Sequence, residues 1–556
     1  MPVDMSTPPF EHGYVPTLPN LIHAAVEQHG GREFLVMGDR RLTFADVERQ
    51  SAELAKGLLA LGVGKGTRLG LLMPNNPDWV LNYFAAARVG ALTVALSTFF
   101  QASEISWGLR FNDIDTLLIT REYLNADYIE RLERALPGLA QQTSTELHLP
   151  THPYLRRIIV WGDCDRPWAM PGPDAILAAA KDKPQIDDAF LAAVEANIAP
   201  ADLLLTICTS GSTSEPKAVV HTHGCAVRTA DLFTDYQGFR PTDRIWTGFA
   251  FFWIGGHNSA ILPCLYVGSS LHFTRTPKPS EIVDTILREQ LTVVTLWQSQ
   301  SEGVAAEARK RGVTLDSVRR GAGKHRDDSG QTIPPERIFS PLGMTETFGM
   351  HSMEKYSAPL PRGKQGSMGR HLPGVERRII DPDTGREVAC GRQGELYVRG
   401  QSLMAGYYKR ERAETFTRDG FFATGDLASI DEDDYLFFHG RKNEMIKTSG
   451  ANVSPREVEA VLQSLPGVRE AIVFGIPDAV KGERVAAVLV AVDGHVLDGE
   501  ALKTQLRQEI SPYKVPQQIT VLPYDQIPRT GSEKAIKRHL IDIVSGAGAG
   551  DQRQSA

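Results

Sequence analysis

The chain has 556 residues, of which 42% are hydrophobic and 23% are charged. At roughly 150 residues per domain, this length predicts three or four packed units and excludes a small disulfide-dependent scaffold. The net charge is −7, from 60 basic and 67 acidic residues, so the excess of positive charge typical of nucleic-acid-binding proteins is missing. We therefore expect a globular protein without a nucleic-acid partner.

The five cysteines and the N-terminal segment bear on the cellular compartment. The cysteines are odd in number and contain no CxxC pair, which argues against a disulfide framework or a structural zinc site. The segment MPVDMSTPPFEHGYVP has acidic residues and prolines where a signal peptide needs a basic start and an apolar core. No apolar run approaches the roughly 18 residues of a membrane helix. We predict a reduced, cytoplasmic protein without an integral membrane segment.

Short apolar runs alternate with helical patterns along most of the chain. The runs are RLGLLM, ALTVAL, DTLLIT, RIIVWG, DLLLTICT and LTVVTLW. The segment FADVERQSAELAKGLLALG, which precedes the first of them, has apolar residues at helical spacing. Such alternation predicts βα units and parallel sheets, so the predicted fold class is α/β.

The texture of the sequence changes towards the C-terminus. From about residue 368 to 438, turn sequences such as DPDTG and RDGFF separate short strands, which indicates a β-rich subdomain. A new unit then reads strand, helix, strand, strand, helix, strand in EMIK, SPREVEAVLQSL, EAIVFGI, RVAAVLVAV, DGEALKTQLRQEI and QITVL. About a hundred residues suffice for a separate core. We predict an N-terminal body over 1–442, a small α+β domain over 443–540 and a flexible tail over 541–556.

The segment ADLLLTICTSGSTSEPKAVVHTHG, residues 201–224, is the most informative. A buried strand runs into a loop of hydroxyl residues and one glycine that ends in Pro216-Lys217. Backbone N–H groups, hydroxyls and a lysine together satisfy the requirements for holding a polyphosphate. The loop is not a Walker A motif, which needs Gly-Lys at this point, and a polar surface loop is the alternative interpretation. The predicted phosphate-binding residues are Thr209, Ser210, Gly211, Ser212, Thr213 and Lys217.

This segment resembles the phosphate-binding signature of the AMP-forming adenylate superfamily, which contains acyl-CoA synthetases, the adenylation domains of peptide synthetases and the beetle luciferases. Further similar segments follow in family order: LTFADVERQSAELAKGL, PNNPDWVLNYFAAARVGAL, SPLGMTETFG, GELYVRGQSLMAGYYKR, FATGDLASIDEDDYLFFHGRKNEMIKTSGANVSPREVEAVL and IPRTGSEKAIKRHL. The resemblance runs from about residue 20 to 540 and is greatest to acyl-CoA synthetases. It implies a barrel-like character for the β-rich subdomain, a mobile C-terminal domain, and the use of ATP, Mg²⁺ and coenzyme A.

The resemblance assigns roles to four residues of the nucleotide site. In SPLGMTETFG, it places the Thr345 hydroxyl near the α-phosphate and the Glu346 carboxylate on Mg²⁺, a cation that prefers oxygen ligands. Taken alone, a Thr-Glu pair is more typical of a helix cap. Asp426 is expected to accept hydrogen bonds from the ribose hydroxyls, assisted by Arg441; an ordinary turn aspartate and a surface arginine are the alternatives.

Lys534 is the predicted catalytic lysine of adenylate formation. A flexible ammonium can bridge the substrate carboxylate and the phosphate where negative charge accumulates. Without the resemblance, Lys534 is one cation of the solvated run EKAIKR. The resemblance further implies that the C-terminal domain rotates between two half-reactions about a hinge at Asn443. Lys447 and Gly450 belong to the face expected in the second state.

The segment FAFFWIGGHNS bears on the acid substrate. Trp253 stands where many relatives carry a histidine, and a plain core role for Phe251, Phe252 and Trp253 is the open alternative. The segment has no aspartate to receive a substrate ammonium, which disfavours an α-amino acid. The remaining residues predicted to line the acyl or adenine pocket are Gly256, Trp297, Gly321, Ala322, Gly323, Leu342, Gly343, Met344 and Met350.

Several positions depart from the family pattern. Ser214 and Ala218 stand where the phosphate loop usually has glycine, and a Cβ there restricts the backbone. Leu342 replaces an aromatic residue, which weakens stacking on adenine. Glu533 precedes Lys534 where glycine is customary, and its carboxylate can compete for the lysine.

These observations predict an ATP-dependent acyl-CoA ligase. It activates an organic or fatty carboxylic acid as acyl-AMP and then forms the coenzyme A thioester. Two alternatives stay open: an acyl-AMP ligase that loads a carrier-protein thiol, and a non-catalytic nucleotide-binding homologue. Homodimer formation also stays open.

Overall fold

The computed structural model describes residues 13–209, 217–327, 329–448, 451–478, 482–510, 514–530 and 533–545. The chain divides into two compact units. The first comprises Met1–Glu376 and Val398–Phe422, and the second comprises Arg377–Tyr397 and Ala423–Ala556. The second unit thus contains segments on both sides of the boundary that the sequence suggested at 442; that boundary stays a prediction.

The first unit contains two large, mainly parallel sheets. Its strands are β1 (Glu33–Met37), β2 (Arg40–Thr43), β3 (Arg68–Leu72), β4 (Leu92–Ala95), β5 (Thr116–Thr120), β6 (Glu122–Tyr123), β7 (Ala126–Asp127), β8 (Arg157–Trp161), β9 (Ala169–Gly172), β10 (Leu203–Thr209), β11 (Lys217–Thr222), β12 (Arg244–Thr247), β13 (Ser270–His272), β14 (Val293–Thr295), β15 (Arg320–Gly321), β16 (Leu342–Met344), β17 (Gly349–Met353), β18 (Arg370–His371) and β21 (Gly406–Tyr407).

The helices of the first unit pack around these sheets. They are α1 (Leu18–His29), α2 (Phe44–Ala60), α3 (Pro77–Arg88), α4 (Ala102–Phe111), α5 (Tyr128–Ala135), α6 (Asp174–Asp182), α7 (Asp188–Ala196), α8 (His223–Gln237), α9 (Ile254–Gly256), α10 (Leu262–Val267), α11 (Pro279–Glu289), α12 (Gln298–Arg311) and α13 (Arg412–Thr415). A π-helical turn, His257–Ile261, joins α9 to α10.

The larger sheet has the order β21-β11-β10-β4-β3-β5-β8-β9. Its strands from β10 to β9 run parallel to one another. Strand β11 is antiparallel to both of its neighbours, β10 and β21. All four residues of β4 are buried, which is why this strand reads as a continuous apolar run rather than an alternating one. The second sheet has the order β15-β14-β12-β13-β1-β2 and is parallel except for β2.

Helix α2 illustrates how the sequence sets a boundary. The Thr43 hydroxyl accepts from the Asp46 N–H, and the Asp46 carboxylate accepts from the Thr43 N–H, both at 3.1 Å. This capping box satisfies two donors that have no partner within a helix. The apolar face buries Val47, Leu54 and Leu58, in agreement with the helical spacing of the sequence.

The second unit combines two sheets with three helices. Its strands are β19 (Val375–Ile380), β20 (Gly394–Gly400), β22 (Phe422–Ile430), β23 (Leu436–Arg441), β24 (Ile446–Thr448), β25 (Ala451–Val453), β26 (Val468–Asp478), β27 (Gly482–Ala491) and β28 (Gln518–Val521), and its helices are α14 (Pro455–Ser464), α15 (Gly499–Glu509) and α16 (Lys537–Ser545). One sheet, of which most residues belong to this unit, has the order β19-β20-β22-β23. The other has the order β25-β24-β27-β26, with β28 parallel to β27.

The α/β fold class is confirmed, and so are the six C-terminal elements from EMIK to QITVL. Val458 and Leu462 of α14 pack in one buried cluster with Val473 of β26 and Leu489 of β27, as the helical spacing predicted. All five cysteines are free thiols. Among the described helices, none combines the length and the apolar character that a bilayer crossing needs.

Candidate active site

The predicted phosphate loop connects two strands of the larger sheet. Strand β10 ends at Thr209, and β11 begins at Lys217, its direct partner in the antiparallel ladder. The two residues lie at the carboxyl end of β10, and such ends are where open α/β sheets bind ligands. The predicted residues between them lie outside the part of the chain that the structure describes: Ser210, Gly211, Ser212 and Thr213.

Lys217 and Glu346 meet at one tyrosine. The Lys217 Nζ lies 5.0 Å from the ring centroid of Tyr407, a cation–π distance. The Tyr407 hydroxyl donates to Glu346 Oε1 at 2.7 Å. Tyr407 stands on β21, which pairs with β11, so the sheet itself fixes this arrangement. The lysine of one predicted motif and the acid of another, far apart in the sequence, thus contact the same side chain.

A single turn presents Thr345 and Glu346. They lie in the 3₁₀ turn Thr345–Thr347 between β16 and β17. The Thr347 hydroxyl donates to the Gly349 carbonyl at 2.7 Å, which closes the turn. His221 Nε2 lies 2.8 Å from the Thr345 carbonyl oxygen. Because a carbonyl only accepts, Nε2 carries the proton, and burial lowers the pKa of His221 to about 4. A neutral imidazole on β11 therefore anchors the Thr345 backbone.

Tyr407 and His221 were not singled out by the sequence, although both lie in segments that carry the family resemblance. The signal available was their position: His221 in AVVHTHG and Tyr407 in AGYYKR. Their partners Thr345 and Glu346 are distant in the chain, so only the pairing of β11 with β21 and the packing of the 3₁₀ turn reveal the contacts.

The donor set around Glu346 fits Mg²⁺ bound together with a phosphate. Mg²⁺ is usually held by one or two carboxylates plus substrate phosphate oxygens and water, not by an all-protein cage. Glu346 is half-buried, and in the described ranges no group of three or more His, Cys, Asp or Glu side chains forms a cage of its own. A single carboxylate that contacts the same tyrosine as the predicted phosphate-binding Lys217 suits this chemistry.

The predicted adenine segment begins where β15 ends. Gly321, Ala322 and Gly323 all have positive φ, of +90°, +48° and +81°. A Cβ added to Gly321 would lie 1.7 Å from the Val294 carbonyl oxygen, so only glycine fits at this position, where β15 pairs with β14. Leu342 and Met344 are half-buried at the two ends of β16, the strand that leads directly into the turn of Thr345.

Gly343 lies in β16 against the backbone of the next strand. A Cβ at Gly343 would lie 2.2 Å from the Gly349 carbonyl oxygen. We therefore expect Gly343→Ala to force β16 and β17 apart and to lower the free energy of unfolding by about 2 kcal/mol. Urea unfolding measures this change. Gly64→Ala is the matched control, because nothing lies within 4 Å of its Cβ. Equal stability of the two variants would contradict the close approach.

The aromatic residues of FAFFWIGGHNS divide between core and pocket. Phe251 and Phe252 are buried, whereas Trp253 is half-buried. The Trp253 ring lies edge-on to Trp297, with centroids 6.2 Å apart. It also lies 6.0 Å from the half-exposed ring of Phe99. The core interpretation thus describes the first two aromatic residues, and Trp253 with Trp297 forms an accessible apolar wall at the carboxyl ends of β12 and β14.

Gly256 and Met350 complete the predicted pocket residues of the first unit. A Cβ at Gly256 would lie 2.7 Å from the Ala250 carbonyl oxygen, so the α9 turn packs directly on the aromatic segment. Met350 is half-buried on β17, opposite Gly343 of β16. Close packing thereby restricts Gly256, and strand pairing fixes the backbone of Met350.

In the second unit, Asp426 and Arg441 form an ion pair. They are direct partners on β22 and β23, and Arg441 Nε lies 2.8 Å from Asp426 Oδ1. Arg441 also donates to the Thr424 carbonyl at 3.0 Å. The preceding Gly425 has φ +74°, a left-handed conformation within β22 that glycine adopts without strain. The two residues that the resemblance links to the ribose are therefore adjacent and mutually oriented.

Lys534 ends a tight turn of the second unit and its side chain is exposed. The Lys534 N–H donates to the Thr530 hydroxyl at 3.2 Å, and the Thr530 N–H donates to the Lys534 carbonyl at 2.8 Å. Glu533 has φ +61°, a left-handed conformation that explains why glycine suits this position. The two hydrogen bonds to Thr530 therefore hold the backbone of Lys534, whereas its side chain is exposed to solvent.

The backbone shows where the predicted hinge residue and the residues predicted to serve the second half-reaction lie. Asn443 lies in the 3₁₀ turn Lys442–Glu444, directly after β23. Lys447 lies on β24, opposite Asn452 of β25. Gly450 lies outside the described residues.

Comparison with known families identifies the chain. The family model described as AMP-binding enzyme matches residues 22–408, and the model described as AMP-binding enzyme C-terminal domain matches residues 457–534. The chain belongs to the AMP-binding enzyme family. The resemblance inferred from the motifs is thereby confirmed.

Relatives of this family member are similar over almost its whole length. The indoleacetate–CoA ligase of Aromatoleum aromaticum is 29% identical, over 94% of this chain and 97% of its own. The mitochondrial medium-chain acyl-CoA ligase ACSF2 of Danio rerio is 27% identical, over 94% of this chain and 88% of its own. A solved structure, the anthranilate CoA ligase AuaEII in complex with anthranoyl-AMP, has a TM-score of 0.79 at 22% identity and covers 98% of this chain and 99% of that one. The last comparison establishes the shared fold.

Proposed function

We propose that this member of the AMP-binding enzyme family is an ATP-dependent acyl-CoA ligase. The observation that carries the proposal is the contact of Lys217 and Glu346 with Tyr407, because it brings the predicted phosphate-binding cation and the predicted Mg²⁺-binding carboxylate to one side chain. The names of the relatives agree with this activity. ATP and coenzyme A are the co-substrates that this family of ligases implies.

The first half-reaction forms acyl-AMP. A carboxylic acid is ionised near neutral pH, so its attack on the α-phosphate of ATP needs positioning and charge neutralisation rather than a general base. A carboxylate oxygen bonds to the α-phosphorus as the bond to pyrophosphate breaks. Lys217 and the phosphate loop hold the triphosphate, the Thr345 hydroxyl donates near the α-phosphate, and Lys534 neutralises the crowded negative charge. Mg²⁺, where bound by Glu346, supplies further neutralisation.

The second half-reaction forms the thioester. The thiol sulfur of coenzyme A bonds to the acyl carbon, the bond to AMP breaks, and the thiol proton is released. Asp426 with Arg441 holds the ribose, and the face that carries Lys447 and Gly450 serves this step after the domain rotates about Asn443. The mixed anhydride stays shielded from water between the steps.

The acid substrate is expected to have an uncharged tail. Trp253, Trp297 and Phe99 offer aromatic surfaces, and the ring contacts described for them are with one another and with Phe249 and Phe252. Relatives are named for indoleacetate and for medium-chain acids, so ring-bearing and linear acids both belong in the test. The cytoplasmic location and the homodimer stay predictions.

A panel of monocarboxylic acids tests the proposal. We expect pyrophosphate release to depend on the added acid, and we expect thioester to appear only when coenzyme A is also present. Thioester formation with a carrier protein but not with coenzyme A would support the carrier-loading alternative. No acid-dependent pyrophosphate release from any acid of the panel would support the non-catalytic alternative.

A further inference from the structure

Asn75 connects the ends of the two large sheets. It lies three residues after β3 of the larger sheet, while the aromatic segment 249–253 follows β12 of the second sheet. The Asn75 Nδ2 donates to the Phe249 carbonyl at 2.8 Å, and its Oδ1 accepts from the Phe251 N–H at 2.8 Å. The amide thus occupies one donor and one acceptor of the segment, as a paired strand would.

The segment is held by a second set of contacts as well. His257 Nε2 donates to the Phe251 carbonyl at 2.8 Å, and its ring is fully buried in the π-helical turn. A Cβ at Gly255 would lie 3.2 Å from the Phe249 ring, so α9 leaves that ring little room to move away. Together with the two hydrogen bonds from Asn75, these contacts fix the path of the backbone.

This backbone path determines where the aromatic wall stands. The Phe249 ring packs on Trp297 with centroids 4.6 Å apart, and Trp253 lies edge-on to the same tryptophan. The Phe251 ring packs instead on buried Trp79 at 5.2 Å. A shift of the segment by a few tenths of an ångström would therefore move Phe249 and Trp253 together relative to Trp297.

We propose that Asn75 is a positioning residue for acid selection, which acts through the backbone of 249–253 on the wall formed by Trp253 and Trp297 and on the Phe249 ring that packs against it. The proposal rests on the proposed function, in which this wall receives the acid tail. Asn75 itself need not touch the acid. Its loss leaves the Phe249 carbonyl and the Phe251 N–H without a partner and frees the wall to shift.

The chain offers a matched control in the next residue. Asn76 caps α3, where its Oδ1 accepts from the Trp79 N–H at 2.8 Å, and no hydrogen bond links it to the aromatic segment among the described residues. Asn75→Ala and Asn76→Ala remove the same amide group at adjacent positions. Asn75→Asp keeps the acceptor for the Phe251 N–H and loses the donor to Phe249.

Steady-state kinetics with benzoate, phenylacetate and octanoate test the proposal. For Asn75→Ala we expect the KM for the best acid to rise roughly tenfold or more, and the ratios of kcat/KM among the acids to narrow. The KM for ATP is expected to change by less than about twofold. Asn75→Asp is expected to fall between Asn75→Ala and wild type, and Asn76→Ala to keep the wild-type ratios.

Two results would overturn the assignment. One is a folded Asn75→Ala enzyme with the acid KM and acid ratios of the wild type. The other is an equal change in Asn76→Ala, which would make the effect one of general stability. If Asn75→Ala does not fold, wild-type acid ratios in Asn75→Asp overturn it. Failure of the proposed function is recognised separately, since the wild-type enzyme would then release no pyrophosphate with any acid.

Discussion

Replacing Lys534 with alanine is expected to slow acyl-AMP formation at least roughly a hundredfold, which corresponds to about 2.7 kcal/mol of transition-state stabilisation. The turn that ends at Lys534 fixes its backbone and exposes its ammonium. An exposed ammonium can neutralise charge that accumulates only in the transition state. Transfer of the acyl group from preformed acyl-AMP to coenzyme A is expected to stay within about threefold of the wild-type rate.

Lys537 is the matched control for this prediction. It lies three residues further along, and its Nζ pairs with Glu444 and Glu459 at 3.3 and 3.4 Å within the second unit. Such partly exposed pairs contribute little, so Lys537→Ala is expected to keep both half-reactions within about twofold of wild type. Pyrophosphate release measures the first half-reaction, and thioester formation from synthetic acyl-AMP measures the second. Equal losses of both in Lys534→Ala would remove the role assigned to this lysine.

Lys447 tests the other half of the proposal that the C-terminal domain uses one face in the first half-reaction and another face in the second. Its backbone lies on β24, away in sequence from the turn of Lys534. Lys447→Ala is expected to slow thioester formation from acyl-AMP while pyrophosphate release persists. A normal second half-reaction in this variant would contradict the scheme.

Lowering the pH from 7 to 5 is expected to destabilise the first unit, and three of its buried histidines contribute up to about 6 kcal/mol of this loss. Burial lowers the pKa of His221 and of His223 to about 4 and that of His257 to about 3. In the unfolded chain these groups titrate near 6.5. Between pH 6.5 and 4 the unfolded chain therefore binds more protons, and stability falls as the pH falls.

The geometry explains why these imidazoles stay neutral. His223 Nδ1 accepts from the Leu18 N–H at 3.2 Å, an arrangement that protonation would break. His223 is also the first residue of α8, where the helix dipole disfavours a cation. Carboxylates with lowered pKa values, such as Asp46, also stabilise the folded state. They lose this stabilising effect at lower pH than the histidines, because their unfolded pKa lies near 4. The pH range in which the histidines change stability is thereby distinct from the range in which the carboxylates do.

Urea unfolding between pH 5 and 7.5 measures this linkage. His223→Asn keeps an acceptor for the Leu18 N–H and removes one titrating group. The slope of the unfolding free energy against pH is therefore expected to fall by the amount that corresponds to about one bound proton. His495→Asn, at an exposed position, is expected to leave the slope unchanged. An unchanged slope in His223→Asn would show that this histidine is not the source of the pH dependence.

Local patterns were sufficient for much of the fold. The fully buried runs of β3, β4 and β5 read as strands because parallel strands bury both faces, and α2 and α14 read as helices because one face of each is apolar. Helix α16, which contains part of the run EKAIKR, was not predicted. Its charged exposed face dominates that short stretch, and only Leu540 is buried.

The candidate site was predicted in its parts and not in its contacts. The residue types of the phosphate loop pointed to Lys217, whereas Glu346 and Lys534 were assigned through the resemblance to the adenylate superfamily. Only the tertiary structure decided that Tyr407 joins Lys217 to Glu346, that His221 anchors Thr345, and that Trp253 separates from the buried Phe251. The physical reason is that chemistry depends on residue type, which is local, whereas contact depends on strand pairing and packing, which here join residues 61 and 124 positions apart in the chain.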